Sequence, residues 1–176
     1  MRVLMLNYEY PPLGGGGGVA SANLAEGFVR AGHAVDFITS HFAGLEREET
    51  LEGVRMFREP VAGRKDYQTA SIISMLTFPQ AAVRRALTLR RGGGYDIVHS
   101  HYWQSGRAGL VLARETNLPH VTMFHTLGEV KNRARISERE PRLRILHERR
   151  IARGVDAIVT ASDHERVLLE RHYGAH

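Results

Sequence analysis

Residues 1–40 read MRVLMLNYEYPPLGGGGGVASANLAEGFVRAGHAVDFITS, and this stretch decides the fold. Val3–Leu6 is a short, unbroken apolar run, the pattern of a buried strand, and it ends at Asn7. A loop containing Pro11 and Pro12 leads into five consecutive glycines, Gly14 to Gly18. From Val19 to Ala31 the apolar residues Leu24, Phe28 and Val29 recur at helical spacing, and Gly32 stops the helix. Val35–Thr39 is then a second buried strand. Strand, helix and strand in this order form a βαβ unit, which brings parallel strands together.

The same alternation continues outward. Val54–Phe57 reads as a third strand, reached through a charged loop around Arg47, Glu48 and Glu49. A helical region from Tyr67 to Leu89, interrupted near Pro79, closes at Gly92–Gly94. Tyr95–His99 is a fourth strand, Gly106–Glu115 a helix and Val121–Phe124 a fifth strand. A charged helix spans 136–153, Val155–Thr160 is a sixth strand, and Asp163 caps a last helix ending at Gly174. The expected fold is α/β: a doubly wound, Rossmann-like parallel sheet of about six strands. No repeat or long linker interrupts it, so residues 1–176 read as a single domain.

Composition limits the chemistry. Apolar residues make up 43% of the 176, enough to build a core. Lys and Arg outnumber Asp and Glu by 24 to 19, which favours anionic partners. The absence of cysteine excludes disulfides, zinc–thiolate sites, iron–sulfur clusters and a Cys nucleophile. No apolar run approaches the roughly 18 residues of a membrane span. MRVLMLN turns polar too soon for a secretory signal, so the expected location is cytoplasmic, with peripheral contact to a membrane left open.

In open α/β sheets ligands bind outside the carboxyl ends of the strands. Strand one delivers Asn7, Tyr8, Glu9 and the glycine loop there; strand four delivers His99 to Trp103; strand five delivers His125, Thr126 and then Lys131. The glycines form either an anion-binding helix start or a flexible loop. A dinucleotide fingerprint would follow strand one directly and pair with an acidic end to strand two, but Pro11, Pro12 and Thr39–Ser40 stand in those places. No nucleoside-triphosphate loop is present either. His99 and His101 face one side of a strand, as metal ligands could, but without the acidic residues that complete such sites. We therefore expect no metal. Tyr102 and Trp103 are either pocket wall or a sugar-stacking surface. Arginines at 84, 85, 90 and 91, and again at 139, 142, 144, 149, 150 and 153, read as solvated helix faces threaded with Glu138, Glu140 and Glu148. The aromatics are too scattered for a nucleic-acid surface, so no nucleic-acid partner is expected; contact with anionic lipid stays open.

Together these segments resemble a known family. Tyr8–Pro12 before the glycine loop and Ala31–Val35 resemble the N-terminus of retaining glycosyltransferases of the GT-B fold. VHSHYW at 98–103, His125–Gly128, Val130–Asn132 and DAIVTAS at 156–162 are similar to the group that includes sucrose-phosphate synthases and D-inositol-3-phosphate glycosyltransferases. The resemblance implies one half of a GT-B fold, on the acceptor side. The C-terminal domain that binds the nucleotide-sugar donor, with its Glu-x7-Glu motif, lies outside the sequence. Glu140 and Glu148 share that spacing, but they read as surface charges that match it by chance.

The resemblance also implies roles for individual residues. Gly15 and Gly16, continued by Gly17 and Gly18, would approach the donor diphosphate, and His125 would stand beside the reacting sugar. Tyr102, Thr126 and Arg144, with Lys131, His101 and Lys65, would hold a phosphorylated sugar or cyclitol acceptor. The family often has Asn where Gly18 stands. Transfer with retention would need neither cofactor nor metal, and the chain would be inactive without a second domain or subunit. The alternative is a stand-alone module that docks on a membrane surface or a protein partner.

Overall fold

The structure is a computed structural model that describes residues 1–68, 71–135 and 139–175. Along the chain run β1 (Arg2–Asn7), α1 (Gly16–Arg30), β2 (Ala34–Ser40), β3 (Glu48–Leu51), β4 (Val54–Glu59), α2 (Ile72–Arg90) and β5 (Ile97–His101). They are followed by α3 (Tyr102–Thr116), β6 (His120–Met123), α4 (Gly128–Ala134), α5 (Arg142–Ala152), β7 (Ala157–Ile158) and α6 (Asp163–Tyr173).

Among the described residues seven strands form one sheet in the order β3-β4-β2-β1-β5-β6-β7. Every pairing is parallel except β3 with β4, which is antiparallel. The order reverses between β1 and β5, so the crevice where α/β sheets bind ligands opens at the carboxyl ends of these two strands. Alternate residues supply the two faces. Leu4, Leu6, Ile38 and Val98 pack against Phe78 and Ala82 of α2. Val3, Met5, Val35 and Phe37 pack against Ala22 and Ala25 of α1. A third cluster, with Phe124, Ile145, Ile151 and Tyr173, roots α5 and α6 beside β6.

The structure corrects the sequence reading in several places. Glu48 and Glu49 of the charged loop belong to strand β3, an edge strand whose half-wet residues lack an apolar pattern, so the described residues give a sheet of seven strands rather than six. Helix α1 begins at Gly16, placing Gly16, Gly17 and Gly18 in its first turn. Helix α3 begins at Tyr102, not Gly106, because strand passes into helix without an intervening turn. Helix α4 was not expected, and the sixth predicted strand shortens to Ala157–Ile158. Helices α2 and α5 start later than read; residues 69, 70 and 136–138, including Glu138, lie outside the described residues.

Candidate functional site

Asn7, at the end of β1, anchors the start of α1. Its Nδ2 donates to Gly17 O at 3.2 Å and to Ser21 Oγ at 2.8 Å. Glu9 Oε2 accepts from the Gly15 amide at 3.1 Å. A Cβ added at Gly15 or Gly16 would meet nothing within 4 Å, so packing within the chain does not require glycine there. At Gly17 it would lie 3.6 Å from the His125 ring, which places the first turn of α1 against that imidazole.

Three histidines stack at the ends of β5 and β6. The His99 and His101 ring centroids are 4.4 Å apart, as the period-two geometry of a strand requires, and those of His101 and His125 are 5.1 Å apart. His101 Nδ1 and His125 Nε2 share a hydrogen bond of 2.9 Å. Burial, with a contribution from His125, lowers His99 to about 4. Burial holds His101 well below the usual range and lowers His125 as well. All three rings are therefore neutral near pH 7. Among the described residues no group of three or more His, Asp or Glu is placed to hold a metal ion.

Tyr102 (φ 68°) and His125 (φ 61°) both adopt the left-handed backbone conformation, which bulky residues rarely occupy. Such strain clusters at binding sites. It turns both side chains toward a cavity of about 230 Å³ bounded by Asn7, Glu9, Gly17, Gln104, His125 and Thr126. Gln104 Oε1 is buried there without a partner among the described residues, an acceptor that a ligand hydroxyl would satisfy.

A second cavity of about 360 Å³ shares Met75 and Tyr102 with the first and is lined by Trp103, Glu140 and Arg144. Arg144 is 3% exposed. Its Nε donates to Glu148 at 2.6 Å, its Nη1 pairs with Glu140 at 2.9 Å, and its Nη2 donates at 3.0 Å to both Thr126 O and Thr126 Oγ1. The guanidinium carbon lies 4.8 Å from the centre of the Tyr102 ring. Lys131 Nζ pairs with the other oxygen of Glu140. Burial favours the neutral form of Glu140, but Lys131 and Arg144 outweigh it and hold the carboxyl below the usual range.

The structure thus brings together Gly17, Tyr102, His125, Thr126, Lys131 and Arg144. Other expectations change. His101 is fully buried behind His125, to which it is hydrogen-bonded, and does not line the cavity. Gly18 is buried against Glu9 and Leu13, inside the turn. Lys65 is exposed on the loop after β4 and lines neither cavity. Glu148, read as a surface charge, is fully buried: both its oxygens accept from Gly128 N, and Tyr173 Oη donates to it at 2.8 Å. Burial raises its carboxyl against the pull of Arg144. Gln104, Met75 and Glu140 were not singled out as site residues. Gln104 follows Tyr102 by two positions, and only a helix starting at Tyr102 turns it into the crevice.

Comparison with known proteins gives a consistent family. The model of the glycosyl transferase 4-like domain matches residues 15–176. D-inositol 3-phosphate glycosyltransferase from Xylanimonas cellulosilytica is 31% identical over 185 residues, covering 99% of this chain and 44% of that protein. The protein of the same name from Kribbella flavida is 31% identical over 187 residues, with the same two coverages. The chain therefore spans under half the length of these relatives. Among solved structures, sucrose-phosphate synthase from Thermosynechococcus elongatus superposes with a TM-score of 0.81 at 22% identity, over 97% of this chain and 44% of that one. Anabaena HepE, solved with UDP and glucose, gives 0.65 at 13% identity, over all of this chain and 42% of that one. At these identities the solved structures show a shared fold.

Proposed function

The chain belongs to the glycosyl transferase 4-like domain family, with the fold of one half of a GT-B glycosyltransferase, and on that basis we propose that it is the acceptor-binding half of a retaining enzyme. The donor is a nucleotide sugar and the acceptor a phosphorylated sugar or cyclitol. One observation supports this reading: a cavity lined by Asn7, Gln104, His125 and Thr126 adjoins one lined by Arg144, and Tyr102 lines both. Neutral His125, Asn7 and the unpartnered Gln104 oxygen suit a polyol ring, and Arg144 with Thr126 suits the phosphate attached to it.

Each group then has a mechanistic role. His125 orients the acceptor hydroxyl without taking its proton permanently, because burial keeps the ring neutral. The start of α1 at Gly16 faces the departing diphosphate, and the Glu9 carboxylate that accepts from the Gly15 amide must yield for that amide to contribute. The leaving phosphate takes the hydroxyl proton on the face where the new bond forms. The protein contributes mainly orientation and fixed dipoles. The second half of the cleft belongs to a domain or subunit outside this sequence, so the chain alone turns over no nucleotide sugar.

Thermal melting with myo-inositol, a myo-inositol phosphate, sugar phosphates and nucleotide sugars tests the reading. A ligand that binds the native state raises the melting point by mass action. The phosphorylated polyols raise it, and Thr126→Ala removes the rise. A rise with nucleotides alone would reassign the cavity to the donor.

A second reading rests on the groove between α2, α3 and α5, about 720 Å³, lined by Arg84, Arg107, Arg114 and Arg150 and by no acidic residue. It suits docking on an anionic surface. Binding to anionic vesicles that weakens as salt rises would support it.

A further inference from the structure

Building on the acceptor-phosphate reading, we infer that Glu140 is an internal stand-in for the acceptor's anionic group, which that group must displace in order to bind. Four charges meet at this point: Lys131 and Arg144 against Glu140 and Glu148. They cancel, so as folded the cluster has no net positive charge to offer a phosphate. The hydrogen bonds of Arg144 are committed as well, through Nε to Glu148, Nη1 to Glu140 and Nη2 to Thr126. Both cations already spend a donor on Glu140, so an entering phosphate gains them in full when that carboxylate yields.

The two carboxylates differ in how they are held. Glu148 is fully buried and bonded to the Gly128 amide, the Tyr173 hydroxyl and Arg144, so removing it would unpick the packing of α4, α5 and α6. Glu140 lies on the segment just before α5. Its side chain is 15% exposed, it lines the 360 Å³ cavity, and among the described residues the side chains holding its carboxylate are the two cations a phosphate would use. The backbone of residue 140 is fixed separately, by reciprocal bonds with the Asn132 amide at 2.7 and 3.3 Å. The side chain can therefore swing out without the segment coming loose, and its departure leaves a net charge of +1. Two consequences follow. The empty site is neutral and pays no penalty for an unpaired buried cation. A neutral polyol gains nothing by displacing Glu140, so the exchange selects anionic acceptors.

The test is calorimetric titration with inorganic phosphate and with a myo-inositol phosphate into the wild-type chain, Glu140→Gln and Thr126→Ala. Glu140→Gln keeps the shape and removes the competitor; the expected result is phosphate binding at least about tenfold tighter than in the wild type. The carboxyl carbon resonance of Glu140 in the wild-type chain gives an independent reading that needs no substitution, and it moves as phosphate is added. If the wild type binds phosphate and loses it in Thr126→Ala, the acceptor site stands. In that case, equal or weaker binding by a folded Glu140→Gln, or an unmoved Glu140 resonance, overturns the displacement alone. If neither the wild type nor Glu140→Gln binds either anion, the acceptor-phosphate reading falls and the displacement falls with it.

Discussion

His101 Nδ1 and His125 Nε2 are 2.9 Å apart and share one proton between two neutral rings. This hydrogen bond fixes which nitrogen of His125 remains for a ligand, namely Nδ1. On the proposed reading His101 is therefore a positioning residue, although the family resemblance implied direct contact with the acceptor. In a His101→Leu chain the His125 imidazole should show mixed tautomers by nitrogen NMR, where the wild type shows one. Ligand-induced stabilisation should shrink while the unliganded melting point changes less. A single tautomer in the variant would remove His101 from the account.

Acid should destabilise the fold above the range where carboxylates titrate. His99 and His120 are lowered to about 4 by burial, and His101 lies well below its usual value. Between pH 6.5 and about 4 the unfolded chain binds protons that the folded chain refuses, so stability is complete above 6.5 and falls as pH drops through this window. For His99 the loss by pH 4 is at most about 3 kcal/mol. Urea unfolding at pH 7, 5.5 and 4.5 measures the slope. His99→Leu, which removes a buried ring whose Nε2 has no partner, should flatten it.

Arg144→Ala should cost far more than a ligand contact. It strands Glu148, fully buried, without its cation, and leaving a buried charge unpaired costs about 3–5 kcal/mol. Adding Glu148→Gln should restore much of that loss. Denaturant unfolding of both variants checks it, and additive losses would contradict the pairing. For this reason Thr126→Ala serves better as the probe of binding.

The glycine run should divide into structural and open positions. Gly14 has φ 86°, and a Cβ there would fall 2.2 Å from Glu9 Cδ, so Gly14→Ala should lower stability by about 1–3 kcal/mol. Gly16 sits in the first turn of α1 with open space around it, and Gly16→Ala should leave the melting point unchanged or slightly raised. Equal losses at the two positions would show that the loop packs differently.

How much of this was legible depended on whether burial came from pattern or from partners. Val3–Leu6 of β1 is an unbroken apolar run because that strand is covered on both faces, and β2, β5 and β6 carry enough apolar residues between Gly, Pro and polar breaks to be read as strands. Glu48–Leu51 did not read as a strand because its residues are held by pairing with β4 at a wet edge, where no hydrophobic signal is needed. His125, Thr126 and Tyr102 could be found because strand ends are where the crevice must lie. Glu148 could not: nothing at its own position announces burial, which is supplied by Tyr173, 25 residues away, and by Arg144. Glu140 stayed hidden for the same reason, since its role appears only when Lys131 and Arg144 meet on either side of it.

On the proposed reading an acceptor phosphate takes the place of the Glu140 carboxylate beside Arg144 and Lys131, next to Thr126, while its ring reaches His125. The most direct test is an amide and side-chain NMR titration of the chain with a myo-inositol phosphate, alongside unphosphorylated myo-inositol. Shifts should concentrate at Gly17, His125, Thr126, Gly128 and the Arg144 guanidinium with the phosphate ester, and be much weaker with the free polyol. Shifts confined to the Gly15 and Gly16 amides, or equal responses to both compounds, would contradict it.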